Sequence, residues 1–351
     1  MPPETSGIRT SDPRPASSQG LRRGQVIRGL SSRSSFIAYL ARRILALVGV
    51  VLVVSFLVFG MIYAAPGSVE RTLLGARPAT PQAVAAIRNE YHLDEPLFDQ
   101  YFNWLGNAVQ LDFGRSLVTN EPVTEEIGSR LPLSIELALS AFLVALVAGV
   151  SLGILAALRR GTVTDRLAVL AGVVGISTPA FVTGTVLLYL FGYELGWFPI
   201  FGAGEGVADR AWHLVLPAIA LALTEMGVLL RLTRASMSSS MQQDYITFAR
   251  ARGISERRVT LTYGLRNALI PITTGAGLVL PVMFAGAVLV EVTFSLPGVG
   301  QLLIESVNNR DITTIQGLTI LIAALVGVVN LGLDLLYLKI DPRIDFQKGK
   351  T

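Results

Sequence analysis

The sequence predicts an all-α, polytopic membrane protein with six transmembrane helices. Three observations carry that prediction. Of 351 residues, 51% are hydrophobic and only 15% charged, with a mean hydropathy of +0.55, well above that of soluble domains. Six apolar stretches approach the roughly 20 residues that about 30 Å of hydrocarbon requires. The arginines fall in alternate loops, as the positive-inside rule demands. Lysine stands only at Lys339, Lys348 and Lys350, so the formal net charge of +4 is mostly arginine. It marks loops facing one side of a membrane and gives no reason to expect nucleic acid.

Residues 1–35 are rich in Ser, Arg, Gly and Pro and show no apolar periodicity. Such a segment cannot bury enough surface to offset its ordering entropy, and it reads as a disordered cytoplasmic tail. Residues 36–65 form the first transmembrane unit. Its uncharged stretch, 44–65, follows Arg42 and Arg43 and is too long for the core of a cleavable signal. Residues 66–132 form an extracytoplasmic loop or cap, with nine acidic residues against five arginines. Within it, 83–91 and 96–109 read as short helices, the second with Leu97, Tyr101, Trp104 and Leu105 on one face. The segment is expected to pack on its own aromatics or to contact a partner on the outer surface, and both can hold.

Residues 133–340 form a core of five further spans, at 137–158, 167–190, 214–230, 267–290 and 312–333. Glu225 interrupts the fourth. Arg159, Arg160 and Arg166 lie between the second and third. Arg231, Arg234, Arg250, Arg252, Arg257, Arg258 and Arg266 lie between the fourth and fifth. This pattern places both termini in the cytoplasm, including the tail 341–351.

The polar interruption at 244–271 is strongly basic. Tyr245, Phe248 and Ala249 recur at helical spacing. Gly253 stands where such a helix would stop, since glycine takes the left-handed conformation without a Cβ clash. Ser255 is placed to cap a second helix running into the next span. A helix–glycine–helix elbow between two spans is a handle on which something outside the membrane could push.

Recognisable catalytic chemistry is missing. The chain has no cysteine, which excludes disulfides, thiolate metal sites and cysteine nucleophiles. His92 and His213 are too few for a histidine cage and read as loop or helix-end residues. No His-Glu-x-x-His or Gly-x-Ser-x-Gly pattern occurs. The terminal Gly349-Lys350-Thr351 ends like a phosphate-binding loop, but Ile344 stands where that loop needs glycine. Gly202 to Gly206 reads as a flexible outer turn. No cofactor or metal is therefore expected. Glu225 lies about 9 Å along a helix axis from Arg231; it either faces a water-filled cavity or pairs with a basic residue near the inner boundary. Asp334 and Glu291 fall at span ends, where solvation is easy.

The run Phe248-Ala249-Arg250-Ala251-Arg252-Gly253, then Ser255-Glu256-Arg257-Arg258 and Arg266-Asn267-Ala268-Leu269-Ile270-Pro271, resembles the coupling loop of ABC-importer inner-membrane permeases. More narrowly it is similar to the first permease subunit of the oligopeptide/dipeptide/nickel branch. Tyr91-His92-Leu93-Asp94-Glu95-Pro96, Leu111-Asp112-Phe113-Gly114-Arg115-Ser116, His213-Leu214-Val215-Leu216-Pro217-Ala218 and Glu291-Val292-Thr293-Phe294-Ser295-Leu296-Pro297-Gly298-Val299-Gly300 match the same branch in order. Where the general loop opens Glu-Ala-Ala, this chain has Thr247, Phe248 and Ala249, a departure that fits the peptide branch, as does the longer distance from Gly253 to Pro271.

The resemblance implies a type I permease fold in a bacterial plasma membrane. The implied partners are a homologous second permease subunit, two cytoplasmic ABC ATPase subunits and an extracytoplasmic substrate-binding protein. It implies ATPase coupling through Asp244, Tyr245, Phe248, Ala249, Arg250, Arg252, Gly253 and Arg257, and a translocation path or gate at Glu225, Met283 and Phe294. The cargo it implies is short peptides, with nickel chelates, glutathione or haem as alternatives. A stand-alone secondary transporter would want buried ion-relay residues and internal repeats, which the sequence lacks.

Overall fold

The computed structural model describes residues 20–64, 68–74 and 78–340. Of the tails expected at 1–35 and 341–351, residues 1–19 and all of 341–351 lie outside the described residues. The chain divides into a small unit, holding α1 up to Ala46, and a large one from Leu47 onward. The core lies in the large unit.

Helix α1, Gly20–Ala64, begins inside the stretch expected to be disordered. The segment after the first span folds into α2 (Val69–Leu74), α3 (Pro81–Glu90) and α4 (Leu97–Val109). The sequence pattern located the last two within a residue or two and missed the first. α3 starts at Pro81 because Thr80 caps it: the Ala83 amide donates to Thr80 Oγ1 at 3.2 Å, and a proline early in a helix gives up only an N–H with no partner.

Five further elements cross the large unit. They are α5 (Val123–Leu158), the pair α6 (Val163–Ser177) and α7 (Ala180–Leu187), α8 (Gly206–Met241), α11 (Arg266–Thr293) and α13 (Ile312–Ile340). Between α8 and α11 lie α9 (Asp244–Ala251) and α10 (Glu256–Arg258); α12 (Val299–Asn309) precedes α13. Among the described residues, five helices are long and apolar enough to span a membrane, and six if α6 and α7 make one broken span.

That break corrects one expectation. The third span, read as continuous over 167–190, bends by 106° between Ser177 and Ala180. Pro179 disfavours helical geometry at the residue before it, and Thr178 is extended at φ −101°, ψ 122°. The carbonyl of Thr178, freed from the helix ladder, accepts the Thr224 hydroxyl of α8 at 3.3 Å.

α8 is the axis of the core, and glycines bring its neighbours close. A Cβ on Gly153 of α5 would stand 2.6 Å from Thr233 Cβ and 2.8 Å from the Leu230 carbonyl oxygen. One on Gly149 would stand 2.9 Å from the Met226 carbonyl oxygen. From α6, Gly172 opposes Gly227, whose added Cβ would lie 2.3 Å from the Gly172 oxygen. Small residues four apart let helix backbones approach and gain dispersion contact. Buried Leu137 and Ala141 of α5, Val279 and Met283 of α11 and Phe294 share one core cluster with Leu229 of α8.

Candidate functional site

The elbow is built as two short arms. α9 ends in a pair of bonds that define a glycine-closed helix terminus: the Gly253 amide donates to the Arg250 carbonyl at 2.9 Å and the Ile254 amide to the Ala249 carbonyl at 3.2 Å. This is a Schellman arrangement, which needs a left-handed residue at its centre, and Gly253 has φ +72°. Ile254 folds back on a small cluster of Ile246, Ala249 and Val259 with Met241 and Tyr263.

The same fold-back decides which side of α9 faces inward. Ile246 is fully buried and Ala249 nearly so. Tyr245 and Phe248 point the other way, Phe248 with 69% of its surface exposed. The expected single face of Tyr245, Phe248 and Ala249 is therefore split: Ala249 belongs to the inner side with Ile246, which the sequence reading missed. An exposed phenylalanine on a short polar helix is an apolar knob awaiting a surface.

The second arm begins at Glu256. Ser255 takes the cap position, but its hydroxyl makes no capping bond; its carbonyl accepts the Val259 amide at 3.0 Å instead. The arm continues as a π-helical turn, Val259–Leu265, into α11. Two contacts fix the arms to each other. Arg250 grips Glu256 with two bonds, Nε at 2.8 Å and Nη2 at 3.2 Å, and the hydrogen bond holds the arginine's pKa above its ordinary value. Asn267 donates to the Tyr245 hydroxyl at 3.1 Å and to the Tyr263 carbonyl at 2.9 Å. Arg252 and Arg257 are exposed, and Asp244 sits in the first turn of α9, where a carboxylate favours the helix dipole. α9 is thus tied to α8 through Met241 and to α11 through Asn267.

The residues read as path or gate are not gathered at one surface. Met283 and Phe294 are buried in the chain's own core. Glu225 is half-buried, and no ion pair holds it among the described residues. A different ion pair, not anticipated from the sequence, joins the neighbouring helices: Arg234 of α8 binds Asp165 of α6 with Nε–Oδ1 at 2.6 Å and Nη2–Oδ2 at 2.8 Å.

Glu291 and Asp311 are buried carboxylates to which the sequence reading gave no structural part. Glu291, 1% exposed, turns its Oε2 to the amides of Gly300 at 2.8 Å and Gln301 at 3.2 Å. It closes the N-terminus of α12, where unpartnered amides and the helix dipole welcome an anion. Ser134 of α5 accepts the Val299 amide at 2.8 Å. A Cβ on Gly298 would lie 2.3 Å from Glu291 Oε2, and one on Gly300 2.5 Å from the Val288 Cα, so both glycines in Pro297-Gly298-Val299-Gly300 leave room that a side chain would take. Asp311 is likewise buried. It accepts the Ser116 hydroxyl at 2.5 Å, the Leu117 amide at 3.1 Å and the Thr314 amide and hydroxyl at 3.2 and 2.9 Å. It ties the segment before α5 to the start of α13.

Comparison with known proteins adds the family context. Residues 149–346 match the family model described as binding-protein-dependent transport system inner membrane component, and residues 36–138 match the model of its N-terminal region. The glutathione transport system permease protein GsiC of Escherichia coli (strain K12) is 38% identical over 309 residues, covering 88% of this chain and 99% of that protein. Its counterpart in Shigella dysenteriae serotype 1 (strain Sd197) gives the same figures. A crystal structure of an amino acid ABC transporter with histidines is similar at a TM-score of 0.46 and 20% identity, covering 63% of this chain and 95% of that one.

Proposed function

Because this chain belongs to the binding-protein-dependent transport system inner membrane component family, we propose that its elbow is the point at which ATP-driven force enters the membrane, and that its cargo is a short peptide. The chain is a permease subunit of an ABC importer and not itself an enzyme. In the proposed complex a homologous permease stands beside it, two ATPase subunits bind on the cytoplasmic side, and a binding protein delivers cargo outside. Both termini and the elbow face the cytoplasm of a bacterial inner membrane, as the arginine-rich loops favour.

One observation carries the coupling reading: Phe248 is exposed on a helix whose opposite side is locked to the rest of the chain. The Phe248 side would seat in an ATPase groove, with Tyr245, Arg252 and Arg257 around it. Closure of the ATPase pair would then move α9 as a rigid lever, rocking α8 and α11 between inward- and outward-open arrangements. The cargo reading leans on relatives named for glutathione, a tripeptide. Glutathione and di- or tripeptides are the first candidates.

The test is reconstitution of this chain with its partner subunits in liposomes. ATP-dependent uptake of labelled glutathione or dipeptide supports the whole reading. ATP-dependent uptake of a different cargo overturns only the cargo. Uptake that ignores ATP, or failure of any ATPase subunit to co-purify, overturns the coupling role.

A further inference from the structure

The outer insertion contains one helix whose sides do not suit a cap standing in water. α4 shows three distinct faces. Tyr101, Trp104 and Ala108 turn toward the chain: Tyr101 hydrogen-bonds Ser55 of α1 at 2.8 Å and meets Phe56 and Phe59 edge-on. Gln100, Asn103 and Asn107 lie on a second, polar side. Phe98, Phe102, Leu105 and Val109 recur at i, i+4, i+7 and i+11, one stripe of an α-helix. Three of these four are bare, Phe98 and Phe102 each 64% exposed and Val109 77%, and Leu105 is half-buried.

The position of α4 along α1 says what meets the bare stripe. Tyr101 also reaches the Leu52 carbonyl at 3.4 Å, and Phe98 stacks on Phe56 at 6.4 Å between ring centroids. Adjacent Gln100 accepts a hydrogen bond from Tyr63, much nearer the α1 terminus at Ala64. Two neighbouring residues of α4 thus touch α1 at levels that differ by about 12 Å at 1.5 Å per residue. Such a difference needs α4 to lie across α1, its polar side toward Tyr63 and its apolar stripe toward the middle of the span. The span of α1 ends at Ala64, so the contact with Phe59 lies about 8 Å inside that end. The stripe continues onto α1 residues that face lipid by their own exposure, Val53 at 61% and Leu57 at 64%.

We propose that α4 is an in-plane helix embedded in the outer leaflet, with Phe98, Phe102, Leu105 and Val109 in contact with acyl chains and the exposed Asn103 and Asn107 at the water boundary, while Gln100 is buried against Tyr63 and the Leu93 and Glu95 carbonyls. The occupant of the bare stripe is lipid. A helix with one apolar and one polar side sits at the interface with the apolar side about 5–10 Å below the headgroups, the depth the α1 contacts give. This placement rests on the membrane reading of α1 and is independent of cargo and of coupling. It makes the insertion a brace lying on the membrane, which fixes the height at which the loop at Asp112–Ser116 is presented.

The sequence contains no cysteine, so single spin labels can be placed without background from this chain. Phe98→Cys, Phe102→Cys, Val109→Cys, Asn103→Cys and Asn107→Cys would each be labelled in the assembled importer, its other subunits cysteine-free, in phosphatidylethanolamine/phosphatidylglycerol vesicles. Collision with oxygen, which concentrates in lipid, is compared with collision with a water-soluble nickel chelate. The oxygen-to-nickel ratio should be several-fold higher at 98, 102 and 109 than at 103 and 107. A water-like ratio at 98, 102 and 109 overturns the proposal. Shielding from both reagents there also overturns it, since the stripe would then be covered by protein.

Discussion

Gly253 carries a φ of +72°, and the two bonds that end α9 depend on it. Gly253→Val forces a β-branched residue into the left-handed region at a cost of about 1–2 kcal/mol. An added Cβ meets nothing within 4 Å, so the backbone alone bears the penalty. We expect the variant to insert and assemble while transport falls; wild-type uptake would show that the closure of α9 is not the lever. Phe248→Asp tests the opposite side of the same helix. Its side chain is mostly exposed, so the permease itself should keep its thermal stability. ATPase affinity should fall by about 2 kcal/mol or more, the range for a buried aromatic anchor, read by co-purification or titration of the ATPase subunits. Asp311 gives a residue-scale prediction at the other end. Asp311→Ala leaves the Ser116 and Thr314 hydroxyls and two amides without their acceptor, and each buried orphan costs about 1–3 kcal/mol. Asp311→Asn keeps one acceptor oxygen and should lose less. Melting of the purified complex, and proteolysis of the loop around Ser116, should rank wild type, Asn and Ala in that order.

At the scale of elements, the contact between α5 and α8 is set by what is absent from two positions. A side chain at Gly153 meets the Leu230 carbonyl, and backbone cannot rotate away as a side-chain tip can. Gly153→Leu should therefore push the helices apart and destabilise the permease by about 1–3 kcal/mol, seen as a lower melting temperature in detergent. Full stability would mean that the two helices are not held at that distance. The Gly149-x-x-x-Gly153 spacing was present in the sequence as a known signal of close helix approach, although only the structure names α8 as the partner. Prolines behave less transparently. Pro132, Pro217, Pro271 and Pro281 all lie inside continuous helices, whereas Pro179 ends one. Membrane helices absorb a proline where neighbours satisfy the freed backbone groups, so the residue alone does not announce a break.

Across the whole molecule, the elbow is tied to the core by side-chain contacts, which the proposed lever requires. α9 is locked to α10 by Arg250–Glu256 and to α11 by Asn267, while α8 carries most of the packing. Phe248→Cys paired with a single cysteine in the ATPase groove should cross-link, and the yield should change with nucleotide if the ATPase pair moves the elbow. A cross-link unaffected by ATP would leave docking intact and remove the lever.

The sequence by itself determined the class, the number and approximate positions of the spans, the elbow and its glycine. These are decided locally, by apolar length against bilayer thickness and by which residue tolerates positive φ. It also supplied the resemblance that the family comparison then bore out. Only the tertiary structure decided that Ile246 and Ala249, and not Tyr245 and Phe248, face inward. Only it broke the third span at Thr178 and closed α12 with Glu291, a residue that looked like an idle span end. Only it showed Met283 and Phe294 buried in the core cluster of this chain. Each of these outcomes depends on which distant group stands opposite: Val259 behind α9, Thr224 beside a freed carbonyl, Gly300 and Gln301 in front of a carboxylate. Burial and hydrogen-bond partnership are properties of pairs that the chain brings together from afar, and no local pattern records them.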